Sequence, residues 1–238
     1  MNDNFSKRYG QVLLKDKNIA LKEVKFLNLL PGESVLEIGP GTGVLTDVLL
    51  KNDIKLNAIE PDHRFYEYLS LKYGSSEKFS LIKGSFIDME PTYYDKIIGN
   101  IPYNLSSKII FKLFDFDFKG AVLMVQKEFA RRLVAKPGEK DYSRLTVNAF
   151  LKGNIKILFN VNRQVFSPVP GVDSSVILIE KKHFTSDNGK FDKFLIDIFS
   201  KRRKKISTIL KNYKGEFMDR RPYEISPEDL LKIYYYFQ

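Results

Sequence analysis

Ser34-Val35-Leu36-Glu37-Ile38-Gly39-Pro40-Gly41-Thr42-Gly43 passes from a short apolar run into glycines at alternate positions. The run reads as a buried strand and the glycines as a tight turn. A helix over about 44–51 follows, then a strand over 56–59 that ends at Glu60. Strand, glycine loop, helix, strand and terminal acid together make a right-handed βαβ crossover in a parallel sheet.

Downstream the alternation continues. Helices are expected near 63–72, 106–114 and 128–134, and strands over 79–82, 96–99 and 121–125. Such regularity predicts an open α/β sheet. The segments 155–161 and 172–179 flank a proline-rich connection and suit an antiparallel pair at one edge of the sheet. Upstream, Asp16 caps a helix whose apolar positions Ile19, Ala20, Val24, Leu27 and Leu30 precede Pro31-Gly32. After Lys182 the character changes. A polar linker over 183–189 leads to Phe191, Phe194, Leu195, Ile198, Ile206, Ile209, Leu210 and Tyr213, which form one helical stripe. Ser226-Pro227-Glu228 then has the form of a helix start, with Ser as cap and Pro in the first turn. The expected division is residues 1–183 as the sheet domain and 184–238 as a small helical domain.

Composition narrows the chemistry. The 238-residue chain contains no cysteine, which excludes disulfides, thiolate catalysis and cysteine-bound metals. Its two histidines, His63 and His183, are too few for a histidine-rich metal site, and no metal is expected. A net charge of +10 points to a polyanionic partner, nucleic acid ahead of an anionic membrane surface. No run of about 18 apolar residues is present, and the first residues carry no signal-peptide core, so a cytoplasmic protein is expected.

Two stretches carry the chemistry. In the glycine loop a dinucleotide fingerprint would place its third glycine where Val44 stands, and no phosphate-binding lysine follows. What remains is a loop whose backbone can approach a ligand at the mouth of a parallel sheet, with Glu60 placed to accept both hydroxyls of a ribose. This arrangement resembles the S-adenosylmethionine site of class I methyltransferases. The second stretch is Asn100-Ile101-Pro102-Tyr103, at the end of an expected buried strand. Pro102 restricts Ile101 to extended geometry, so the Asn100 side-chain oxygen and the Ile101 carbonyl can both accept from an exocyclic amine. Tyr103 offers a face for the ring. An adenine amine is a weak nucleophile because its lone pair is delocalised, and two acceptors favour the more tetrahedral nitrogen that develops during attack.

Four stretches are similar to the ribosomal RNA adenine dimethyltransferase family: Lys7-Arg8-Tyr9-Gly10-Gln11, residues 36–43, Gly99-Asn100-Ile101-Pro102-Tyr103-Asn104, and Phe166-Ser167-Pro168-Val169-Pro170-Gly171-Val172-Asp173-Ser174. Gln126-Lys127-Glu128 and Asp141-Tyr142-Ser143-Arg144-Leu145 resemble its small-subunit branch. The resemblance implies a Rossmann-like class I S-adenosylmethionine-dependent methyltransferase sheet with a small C-terminal α-helical domain. It further implies that Gln11, Val12, Leu14, Glu37, Gly39, Gly41, Glu60, Ser85 and Asn100 serve the cofactor, while Asn100, Ile101, Pro102, Tyr103 and Phe166 hold the target adenine. Val12 and Ser85 depart from the family, which commonly has a polar Asn or His and an Asp at these positions. Modest cofactor affinity is the expected consequence, with Asp88 as the candidate substitute for the missing acid.

The run Lys201-Arg202-Arg203-Lys204-Lys205, placed on the C-terminal amphipathic helix, is the first candidate for RNA phosphate contact. Arg131 and Arg132, with Lys136 and Lys140, form a second, expected near the target pocket. The implied activity is dimethylation of adenine N6 atoms in small-subunit ribosomal RNA, free or in a pre-ribosomal subunit, by a monomer. A large-subunit methylase of the macrolide-resistance type shares the glycine loop and the Asn100 stretch, but the 141–145 stretch and the basic carboxyl-terminal run disfavour it. A non-catalytic assembly factor would draw support from Val12 and Ser85 alone.

Overall fold

The computed structural model describes residues 12–182, 184 and 189–238. In chain order the elements are β1 (Leu13–Leu14), α1 (Lys17–Leu27), β2 (Ser34–Ile38), α2 (Val44–Leu49), β3 (Lys55–Glu60), α3 (His63–Tyr73), β4 (Phe79–Lys83), β5 (Tyr93–Asn100), α4 (Ser106–Leu113), β6 (Asp117–Gln126), α5 (Lys127–Val134), α6 (Arg144–Lys152), β7 (Gly153–Val161), β8 (Phe166–Ser167), β9 (Ser174–Lys181), α7 (Lys190–Ser200), α8 (Ile206–Ile209) and α9 (Pro227–Tyr235).

A seven-stranded sheet has the order β4-β3-β2-β5-β6-β9-β7. The first five of these strands are parallel, and β9 joins β6 antiparallel. The α/β expectation holds, with β9 and β7 neighbours at the edge where the late strands were placed. Strand β2 has apolar neighbours on both faces, and Val35, Leu36 and Ile38 are buried as its near-continuous apolar sequence requires. The chain runs outward from β2 to β3 and β4, then returns to β5 on the other side of β2. That reversal makes a switch point, with β2 and β5 side by side and their C-terminal ends together. Gly99 marks the closeness of the two strands: a Cβ there would stand 2.6 Å from the Ile38 carbonyl oxygen.

Helix α1 starts as expected, with the Asp16 side chain accepting from the Asn18 N–H at 2.8 Å. It stops at Leu27, before Pro31. Asn28 takes the left-handed conformation (φ 50°) and its N–H bonds to the Lys25 carbonyl, so Leu30 lies outside the helix and is exposed.

The residues fall into two compact units, 12–130 with 156–181, and 131–155 with 182 onward. The expected boundary at 183 therefore misses a segment: 131–155 groups with the C-terminal helices. The reason is α6, whose Val147 and Leu151 join Phe191, Leu195, Ile198, Leu230 and Ile233 in one core. Within that unit the Tyr142 hydroxyl donates to the Ile225 carbonyl at 2.7 Å, and Asn148 Nδ2 donates to Asp192 at 2.7 Å.

The expected stripe from Phe191 to Tyr213 is not one helix. Helix α7 ends at Ser200, Lys201 leaves helical geometry, and the 201–205 run is the turn before α8. Consecutive ionic side chains on a helix would force some toward the apolar core. The turn avoids this and returns the chain at Ile206, which is fully buried with its N–H bonded to the Arg220 carbonyl. Helix α9 begins as the sequence predicts, with Ser226 Oγ accepting from the Asp229 N–H. Most of the expected 183–189 linker, His183 included, lies outside the described residues. Among the described residues, no helix is long and apolar enough to cross a membrane.

Candidate active site

The C-terminal ends of β2, β3 and β5 open onto a cleft of about 880 Å³, part of it open to solvent. Gly39, Gly41, Glu60, Ser85, Asn100, Ile101, Pro102, Tyr103 and Phe166 line it, together with Val12. A smaller adjoining cavity is lined by Val12, Leu14, Glu37, Gly39 and Asn100 among others. Asn100 and Gly39 thus border both spaces. Gln11, and the stretch 7–11 as a whole, lie outside the described residues.

The glycine loop is shaped by positive φ angles. Gly41 has φ 55°, and a Cβ there would press on Leu13 at 3.0 Å; Gly43 has φ 83°, and a Cβ would come within 2.8 Å of the Tyr73 hydroxyl. Both positions need glycine for conformation and for space. Above Gly39, by contrast, a Cβ would meet no protein atom within 4 Å. The space over that residue is open to a ligand.

Glu60, 3% exposed, accepts from the Gly41 N–H at 3.0 Å through Oε2 and from the Asp62 N–H at 2.9 Å through Oε1. Each oxygen keeps a lone pair for a further donor. Burial pushes its carboxyl up to about 7, against the pull of these two backbone bonds. Glu37 is more enclosed. Its Oε2 accepts from the Thr46 hydroxyl at 2.7 Å, whereas Oε1 is buried with no partner among the described residues. Burial raises Glu37 to about 8, opposed by the Thr46 bond and assisted by the Glu60 carboxyl. An orphaned acceptor bordering the smaller cavity and a ribose-competent carboxylate bordering the larger one suit a nucleoside that carries a cationic amino-acid chain. The residues present therefore fit S-adenosylmethionine.

Ser85 also lines the cleft, but its hydroxyl accepts from the Ile87 N–H at 3.3 Å as cap of a short turn. Asp88 is exposed and is not a lining residue, so it does not replace the missing acid.

Asn100 ends β5. Its successor Ile101 is held by an N–H bond to the Met124 carbonyl at 3.3 Å, and Pro102 follows at φ −58°, ψ 133°. The Pro102 carbonyl accepts from Leu105 N and Ser106 Oγ, which turns the chain into α4. Tyr103 is fixed by a hydrogen bond of 2.6 Å between its hydroxyl and that of Ser174 on β9. Phe166 is placed from another direction, by the antiparallel pairing of Leu14 with Phe166 that joins β1 to β8.

The sequence reading missed Glu23 on α1. It is 1% exposed, and one end of the Asn100 amide lies 3.2 and 3.1 Å from its Oε1 and Oε2; assigned as Nδ2, the only end that a carboxylate can accept from, that end donates to both. The signal was an acid within the buried stripe Ala20, Val24 and Leu27. Ser174 lies within the 166–174 stretch, and nothing in that stretch of sequence gives its hydroxyl a partner.

The candidate RNA-binding residues all belong to the second unit. Lys201, Arg203 and Lys204 are exposed. Arg202 donates to the Lys140 carbonyl at 3.3 Å and lies over the Tyr223 ring, and Lys205 pairs with Asp219 at 2.9 Å. Arg131 lies 3.8 Å from Asp141, and the Arg132 carbonyl accepts from the Thr146 hydroxyl.

Comparison with known proteins agrees with this geometry. The family model described as ribosomal RNA adenine dimethylase matches residues 2–232. The chain is 38% identical over 243 residues to a ribosomal RNA small subunit methyltransferase A of Borreliella afzelii, covering 95% of this chain and 86% of that protein. It is 42% identical over 213 residues to the protein of the same name from Malacoplasma penetrans, covering 87% and 78%. The crystal structure of a dimethyladenosine transferase from Plasmodium falciparum superimposes with a TM-score of 0.86 at 30% identity, covering 94% of this chain and 97% of that one.

Proposed function

Because the chain belongs to the ribosomal RNA adenine dimethylase family, we propose that it methylates the N6 amine of adenines in small-subunit ribosomal RNA, adding two methyl groups to each target. Its cofactor is S-adenosyl-L-methionine. The proposal includes action in the cytoplasm, as a monomer, on ribosomal RNA or an assembling small subunit. The observation that carries it is Asn100 bordering both the glycine-loop cavity and the cleft lined by Ile101, Pro102, Tyr103 and Phe166.

When bound, S-adenosylmethionine supplies a methyl group on a positively charged sulfur. In this reading the glycine loop, Glu37 and Glu60 hold the cofactor, and Val12 contributes an apolar wall. Asn100 Oδ1 and the Ile101 carbonyl accept the two N–H bonds of the adenine amine and favour its tetrahedral form. Tyr103 and Phe166 hold the ring faces. The product nitrogen sheds its proton readily, so positioning and charge placement suffice and no strong base is required. The exposed Lys201, Arg203 and Lys204 contribute phosphate contact, with Arg131 and Arg132 as a second patch.

The test is transfer of labelled methyl groups to purified small and large subunits in parallel. Dimethyladenosine forming in the small-subunit RNA alone supports the proposal; labelling of the large subunit alone refutes it.

A further inference from the structure

Glu23 takes no part in the chemistry proposed for the cleft and lines neither cavity, and yet it is buried against the residue on which that chemistry turns. A side-chain amide at Asn100 has two ends of similar shape and opposite chemistry. Only the oxygen end can receive an amine. Something in the protein must choose the end that faces the cleft.

We infer that Glu23 is a positioning residue for Asn100, its carboxylate accepting from Nδ2 and thereby turning Oδ1 toward the cleft, where the substrate amine is received. The inference rests on the adenine-N6 reading for its catalytic consequence. The geometry is direct: both carboxylate oxygens lie within hydrogen-bond reach of one end of the amide, at 3.1 and 3.2 Å. An ionised carboxylate has acceptors only, so the end it holds is the nitrogen. A bond of this kind is charge-assisted and stronger than a neutral one.

The orientation depends on that charge. A protonated Glu23 can donate to Oδ1 instead, and the amide would then present its NH2 to the cleft, facing the hydrogens of the incoming amine. Burial pushes the Glu23 carboxyl up, the Asn100 bond opposes this, and the Glu37 carboxyl adds to the rise. Among the charged groups on elements that contact α1, Asp47 on α2 is bonded to Tyr73 and Lys72, Asp95 on β5 to Ser34 and Lys119, and Asp117 on β6 to Lys181. Lys96 on β5 and Lys156 on β7 make no ion pair with Glu23, and no other described cation does. Asn100 is thus the described partner that favours its ionised form.

The test uses the full chain labelled with 15N at asparagine. In the wild type, one Asn100 side-chain proton is expected downfield of the other asparagine amides at pH 8 and should move upfield as the pH is lowered. In Glu23→Gln, whose side chain offers both a donor and an acceptor, the signal should sit at an ordinary position and ignore pH. The same variant should lose roughly 10- to 100-fold in kcat with the Kd for S-adenosylmethionine changed less than about threefold and no loss in Tm. An Asn100 signal that is unshifted in the wild type, or a Glu23→Gln variant with wild-type kcat and an unchanged pH profile, overturns the inference. The spectra need no RNA, so they decide the orientation even where the adenine reading fails.

Discussion

Glu60 Oε2 accepts from the backbone N–H of Gly41 at 3.0 Å. The acid that ends β3 thus pins the loop that ends β2, and its other oxygen, bonded to Asp62 N, anchors the start of α3. Loop shape and the proposed recognition of ribose meet in one carboxylate. Glu60→Ala leaves two N–H groups without their acceptor, and an unfolding free energy lower by about 2 kcal/mol or more is expected in urea titrations near pH 7. Binding of S-adenosylmethionine, followed by calorimetry, should be lost in the same variant.

Glu37 gives a pH signature. Its carboxyl is raised to about 8 in the folded protein, against the ordinary value of 4.5. The folded state therefore holds the proton more tightly, and this contribution to stability is complete below pH 4.5 and lost as the pH rises through 8. Glu37→Gln keeps the shape and never ionises. It should match the wild type most closely in urea unfolding at pH 4.5 or below and exceed it by about 4 kcal/mol at pH 9 in the absence of cofactor. A difference that does not vary with pH contradicts this.

Cofactor binding should carry the same signature with opposite consequence. A cationic ligand favours ionised carboxylates, and Glu37 and Glu60 titrate at about 8 and 7 in the empty protein. Binding therefore releases protons near neutrality, and affinity for S-adenosylmethionine should rise from pH 6 to pH 8.5. Calorimetry in two buffers of different ionisation enthalpy measures the released protons.

Lys201, Arg203 and Lys204 are the members of the basic run with exposed side chains and no described partner, unlike Arg202 and Lys205. Reversing these three to Glu should leave Tm nearly unchanged and weaken binding to small-subunit RNA across all sequences. The dependence of log K on log salt should flatten by about one for each phosphate no longer neutralised. An unaltered slope removes the run from the RNA-binding surface.

What could be read from the sequence was what rests on local rules. The apolar run into Gly39, Gly41 and Gly43, the acid at Glu60 and the proline after Ile101 each fix backbone geometry within a few residues, and they placed the βαβ unit and the cleft residues. What could not be read rests on packing between distant segments. The buried Glu23 meets Asn100 only once α1 lies against the ends of the sheet strands. Residues 131–155 join the C-terminal helices because Val147 and Leu151 share their core. The 201–205 turn arises because Ile206 must be buried while its charged predecessors must not. Periodicity alone continues a helix through such a run.

The most direct test of the central claim is methyl transfer by Asn100→Ala to purified small ribosomal subunits at saturating S-adenosylmethionine. Incorporation should fall to background while cofactor and bulk RNA binding stay within a fewfold of the wild type. Turnover near the wild-type rate in that variant would contradict the assignment of Asn100 as the residue that receives the adenine amine.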